Sequence, residues 1–176
     1  KIVKLSFPAQ VESPRAALSL PYGFLTKSAD GLEEPSHEWA GVYGTDGSGL
    51  ALLNDGKYSV CVKGNDLRMI AARSAIYADH FGERDDLVEY MDLGEQIFHY
   101  ALMPYSQDNP APVVKAAALL NRMPEGLMET HHDGALPSTY AGASVSADNV
   151  LLTAFKEAED GEGAVVRLTE IGGKAA

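Results

Sequence analysis

The chain has 176 residues, 45% of them apolar, and 25 acidic against 14 basic side chains give a formal net charge of −11. That balance excludes a phosphate-binding surface, so no nucleic-acid partner is expected. No run reaches the roughly 20 consecutive apolar residues of a membrane-spanning helix, so no membrane partner is expected either.

Lys1-Ile2-Val3-Lys4 opens directly on strand-like alternation without an initiator Met, as expected of a piece cut from a longer chain. In chain order, strands are predicted over 1–7, 16–20, 38–43, 49–53, 58–63, 67–72 and 95–103, each bounded by Pro, Gly, Asn or Asp. Short strands at that spacing point to a β-sandwich or barrel. Between 49–53 and 58–63 lies Asn54-Asp55-Gly56-Lys57. Asp-Gly is a two-residue hairpin signal, which would set Leu53 opposite Tyr58. The flanking strands are apolar or small on both faces, as in a sheet covered on each side. From spacing alone, Lys57 is the solvated end of a plain hairpin.

Cys61, the single cysteine, excludes an internal disulfide and fits a reducing compartment, so a cytoplasmic location is expected. It reads as a small strand residue rather than a reactive thiol. The stretch 77–94 is a long loop carrying Asp79, Glu83, Asp85, Asp86, Glu89 and Asp92. Two of these carboxyls could form the acid and base of a glycosidase if held at a set separation. The plainer alternative is a solvated acidic loop with surface pairs to Arg84. His99, in Phe98-His99-Tyr100, alternates in a strand and is expected to be packed and hydrogen-bonded.

One helix is predicted. Asn109 can cap it, Pro110 suits its first turn, and Val113, Ala116, Ala117 and Leu120 repeat at helical spacing before Pro124 ends it. The polar stretch 125–139 reads as a linker. His131-His132-Asp133 within it is expected to be surface loop, because consecutive residues of extended chain point to opposite sides and cannot easily share a metal. A final hairpin is predicted from 150–155 and 164–169 around the acidic turn 157–163. Neither a nucleophile elbow nor a phosphate loop is present. Motifs alone therefore describe an acidic all-β protein with no visible active site.

Four blocks taken in order carry a resemblance: PYGFLTKSADGLEEPSHEWAGV (21–42), GLALLNDGKYSVCVKGNDLRMIAARS (49–74), YADHFGERDDLVEYMDLGEQIFHYALMPY (77–105) and NVLLTAFKEAEDGEGAVVRLTEIGG (149–173). Together they resemble the C-terminal half of glycoside hydrolase family 38, the α-mannosidases, and most of all its bacterial branch. The resemblance implies a mutarotase-like β-supersandwich portion over 1–108, a connecting helix over 109–124 and part of a terminal β-sandwich over 125–176. In the family, an N-terminal α/β domain holds zinc through two His and two Asp and carries the aspartate nucleophile. None of those motifs matches this chain, so no catalytic or metal residue is expected in it and it is expected to be inactive alone. The implied partners are the parent's own catalytic domain and a mannoside or oligosaccharide substrate.

The resemblance also bears on the turn: Asn54, Asp55 and Lys57 would sit at a tip bordering the sugar site. Lys57 stands where the animal enzymes usually carry Arg, and Lys lacks the planar two-point contact of Arg. Two alternatives stay open at this point. One is a carbohydrate-binding module using Tyr22, Trp39, Tyr43 or Tyr105; the other is a structural domain that forms homo-oligomers.

Overall fold

The structure is a computed structural model that describes residues 1–75 and 90–174. Its centre is the strand Trp39–Tyr43, five residues that are all buried. A strand buried on both faces must be covered on both faces, and two different layers do so. That strand, β5, belongs to a five-stranded antiparallel sheet ordered β3 (Gly23–Ser28), β2 (Arg15–Leu20), β5, β6 (Ser48–Asn54) and β9 (Tyr100–Ser106). A four-stranded antiparallel sheet packs on one face, ordered β1 (Ile2–Pro8), β8 (Asp66–Arg73), β7 (Ser59–Lys63) and β4 (Asp30–Pro35).

Alternation along β5 and β6 sorts side chains between two cores. Ala40, Val42 and Leu52 point between the sheets, where they meet Val60, Val62, Leu67 and Met69. Trp39, Tyr43, Ala51 and Leu53 point the other way, onto a helix. This helix, α1 (Ala111–Asn121), contributes Val113 and Ala117 to the second core. Beyond it, a hairpin of β10 (Val150–Glu157) and β11 (Ala164–Glu170) forms a third, two-stranded sheet. The all-β sandwich is thus observed, with one short helix, and among the described residues no helix is long and apolar enough to cross a membrane.

Several local expectations change. The Asp55-Gly56 segment is not a hairpin: β6 is already paired on both sides, by β5 and β9, and has no free edge for β7. Leu53 therefore faces Trp39 and Ala101 in the ladders rather than Tyr58. The chain instead crosses from one sheet to the other between Asn54 and Ser59. The two-residue hairpin of this region comes next, at Gly64-Asn65 between Lys63 and Asp66, with Gly64 at φ +55°. Strands β3 and β4 were not expected from the pattern. Asp30-Gly31-Leu32-Glu33-Glu34-Pro35 has no apolar alternation, because β4 is an exposed edge closed by a proline. The last strand of the larger sheet runs to Ser106 and passes through Pro104, which an edge position tolerates.

The helix begins after Pro110, which itself occupies the cap position, so Asn109 does not cap it. It ends at Asn121, and the N–H of Arg122 still donates to the Ala118 carbonyl at 2.9 Å. Residues 123–146 are outside any strand or helix, and His131 and His132 are exposed there. Cys61 is buried, with Sγ 3.2 Å from the Gly31 carbonyl. Of the acidic loop, Asp79, Glu83, Asp85, Asp86 and Glu89 lie outside the described residues, as do His80 and Arg84. Asp92 is described, and its carboxylate accepts the Arg73 N–H at 2.9 Å.

Candidate functional site

The crossing from β6 to the second sheet is held by one side chain. Asn54 is 2% exposed, and its Oδ1 accepts the N–H groups of Gly56 at 3.1 Å and Lys57 at 2.7 Å. Its Nδ2 donates to the His37 carbonyl at 3.2 Å. Its own backbone is engaged too: N–H on the Glu38 carbonyl at 3.0 Å, and C=O taking Asn121 Nδ2 at 3.0 Å. Asn suits this role because its short amide can mimic a backbone turn two residues ahead. Asn54 is therefore committed to the scaffold through both ends of its amide, and at 2% exposure it offers almost no surface to a ligand.

Asn54→Ala strands three backbone groups in a partly buried crossing. Each lost bond costs about 0.5–1.5 kcal/mol and more where water cannot replace it, so a total loss of about 2–3 kcal/mol is expected. Urea denaturation followed at a constant slope checks this. A loss below about 0.5 kcal/mol, the size of an ordinary surface change, would show that water replaces the amide.

Asp55 turns the other way, onto the segment leading into β9. Its Oδ1 accepts the His99 N–H at 2.8 Å and its Oδ2 lies 2.7 Å from His99 Nδ1. Its own N–H reaches the His99 carbonyl at 3.3 Å. The His99 backbone N–H, more than the ring, holds the Asp55 carboxyl below the usual carboxylate range, against a smaller opposing effect of burial. His99 is hydrogen-bonded as expected, but its side chain is 70% exposed rather than packed.

A carboxyl whose folded pKa is depressed contributes stability that is fully present above its unfolded pKa, about 4. That contribution is lost as pH falls through the lower folded value. The stability gap between the native chain and Asp55→Asn is thus expected to be constant from neutral pH down to about 5 and to close below about 4. Urea titrations at a series of pH values measure it, and a gap that widens in acid would reverse the assignment.

Lys57 is the remaining group of the turn and the one aimed outward. Its ammonium donates to Gln96 Oε1 at 3.1 Å and stands 5.0 Å from the centroid of Phe98. Among the described residues one of its three donors is used, and the ring contact helps to hold the ammonium in place. Beside it opens a recess of about 340 Å³ bordered by Gly56, Tyr58, Arg73 and Asp92. An ammonium so placed can donate to hydroxyls or pair with a carboxylate brought from outside.

The sequence put Asn54, Asp55 and Lys57 in one turn, and the structure keeps them there with their side chains in three directions. Gln96 and Phe98, which seat Lys57, were missed. Nothing in their spacing signals a partner about forty positions away. Trp39, Tyr43 and Tyr105 are 2%, 7% and 3% exposed, which removes them as surface sugar platforms, whereas Tyr22 is 63% exposed.

Residues 1–81 match the family model described as Glycosyl hydrolases family 38 C-terminal domain. The chain is similar to alpha-mannosidase 2C1 of Mus musculus, 32% identical over 169 residues, which is 90% of this chain and 15% of that protein. The same figures hold for alpha-mannosidase 2C1 of Homo sapiens. Alpha-mannosidase G of Dictyostelium discoideum is 29% identical over 151 residues, 82% of this chain and 12% of that protein. The chain thus spans no more than 15% of the length of these curated relatives.

Proposed function

We infer that this chain, which carries the glycosyl hydrolases family 38 C-terminal domain over residues 1–81, is the non-catalytic β region of a longer α-mannosidase. In that reading it buttresses the catalytic domain and borders the sugar site with the Asn54–Lys57 turn. The observation that carries it is the seating of Lys57. A turn locked by a buried amide presents an ammonium over an aromatic ring with two donors unused among the described residues. A rigid donor of this kind holds substrate hydroxyls at little added entropy cost. The substrate would be a mannoside, and the partner the catalytic domain of the same polypeptide, in the cytoplasm.

The zinc and the aspartate nucleophile belong, in this proposal, to that catalytic domain. Among the described residues no group of three or more His, Cys, Asp or Glu side chains is placed to hold a metal ion. No step of the hydrolysis is assigned to this chain.

The test is Lys57→Ala in the longer protein. A charge-assisted hydrogen bond made in a partly dry cleft is worth roughly 1.5–3 kcal/mol. Its loss in the transition state lowers kcat/KM by about tenfold to a hundredfold. Stability should fall by less than about 1 kcal/mol, the value of an exposed cation–ring contact. Unchanged kinetics would return Lys57 to a plain solvated turn.

A further inference from the structure

A second cavity, of about 320 Å³, lies between the β2–β3 turn, helix α1 and the β10–β11 hairpin. Its floor is aliphatic and aromatic: half-buried Phe24 faces it, and the buried Trp39 backs Phe24 at 5.7 Å between ring centroids. Its rim is polar. Glu38 faces Arg122 at 3.5 Å, a loose pair in which the guanidinium is 75% exposed. Thr153 and Thr169 line the opposite wall, with their hydroxyls 3.2 Å apart and that of Thr153 also within 3.2 Å of the Arg167 carbonyl.

The turn at the mouth is built at a cost. Pro21 and Tyr22 form a two-residue link between Leu20 and Gly23, and Tyr22 adopts φ +66°. Glycine or asparagine is the ordinary occupant of such a position, since a bulky side chain there is strained. The strained tyrosine is nonetheless braced from the third sheet. Arg167 Nη1 donates to its hydroxyl at 3.0 Å and the guanidinium sits 5.6 Å from its ring centroid. Strain that surrounding contacts hold in place is what a ligand clamp requires.

The side chains restrict the ligand class. Arg122 is matched by Glu38 and Arg167 is engaged by Tyr22, so no unmatched cation awaits a phosphate or carboxylate. A purely apolar ligand would strip water from the Glu38–Arg122 pair, 28% and 75% exposed, without replacing its hydrogen bonds. A neutral ring with one apolar face and several adjacent hydroxyls uses both halves of the site. We propose that this cleft binds a single hexose unit, separately from the Lys57 turn.

The choice of mannosides as first probes rests on the family reading; the cleft itself does not. Trp39 is the only tryptophan of the chain and lines the cavity, so its fluorescence reports occupancy directly. Methyl α-mannoside, methyl α-glucoside and mannobiose are titrated into the 176-residue chain. A saturable change is expected with at least one of them, with a dissociation constant on the order of 1 mM for so few contacts. Glu38→Gln and Tyr22→Gly should each weaken binding by about tenfold, the loss of one good contact. Tyr22→Gly also relieves the positive φ, so its melting temperature stays close to that of the native chain. Lys57→Ala should leave the titration unchanged, which separates this site from the turn. No saturable change with any probe overturns the proposal. So does binding that survives both cleft substitutions or is lost with Lys57→Ala.

Discussion

Gly49→Ala is expected to cost more than about 4 kcal/mol and to leave little folded protein, a loss in the exceptional range for one substitution. Gly49 stands in the ladders between Tyr43 on one side and Tyr105 on the other. The rings of those tyrosines approach to 5.8 Å between centroids across it. A Cβ on Gly49 would fall 1.9 Å from the Val42 carbonyl oxygen and 2.7 Å from the Tyr43 Cα. Both are backbone atoms of the central strand, so no side-chain rotation relieves the clash and the β5–β6 ladder must move. Gly41 is the control: its added Cβ would meet Leu50 and Tyr105 atoms at 3.5 Å, ordinary contact distance. Gly41→Ala should therefore change stability by less than about 1 kcal/mol. Equal behaviour of the two in urea denaturation would show that the ladder yields at Gly49.

Trp39→Ala is expected to lose about 3–5 kcal/mol, the usual range for deleting a large buried aromatic. Trp39 is 2% exposed, with Phe24 and Tyr105 at centroid distances of 5.7 and 5.6 Å. Ala17 and Ala51 supply small neighbours in the same core, and Val113 and Ala117 of α1 close it from above. Removing the indole takes away the surface on which the helix docks, so helical circular dichroism should fall at lower denaturant than the β signal. Coincident loss of both signals would place the helix within the same cooperative unit as the sheets.

The two cores were legible because their residues obey simple periodicity. Ala40, Val42, Leu50 and Leu52 alternate with Trp39, Gly41, Ala51 and Leu53, and a strand apolar on both sides announces two covering layers. Helix α1 was legible from Val113, Ala117 and Leu120 in the same way. Edge strand β4 was not, since Leu32, Glu33 and Pro35 are exposed and the half-buried Glu34 is a charged residue paired with Lys27, so the strand shows no apolar alternation. The Asp55-Gly56 signal is real chemistry used differently. Turn propensity records that the chain reverses or bends locally, whereas the choice of ladder partner is decided by which strand edges are still free. For β6 both edges are taken, by residues about ten and fifty positions away. The candidate site divides likewise: the turn is a local feature, but the seat of Lys57 on Gln96 and Phe98 exists only once β9 has paired.

The crossing held by Asn54 also has a consequence in time. Its partners are the His37 and Glu38 carbonyls, the Gly56 and Lys57 amides, and Asn121 at the end of the helix. The Gly56 and Lys57 amides are local to the turn. The turn is fastened to His37, Glu38 and Asn121 only after the larger sheet has assembled and α1 has docked on it, so the knot as a whole closes late, on the native side of the folding barrier. Interactions made after the barrier set how slowly a protein unfolds, with little influence on how quickly it folds. An Asn54→Ala loss of about 2–3 kcal/mol would then appear as unfolding faster by about thirty- to more than a hundredfold, with the refolding rate nearly unchanged. The amide works as a latch on the lifetime of the folded chain: it keeps the crossing, and the Lys57 tip it carries, closed between rare openings.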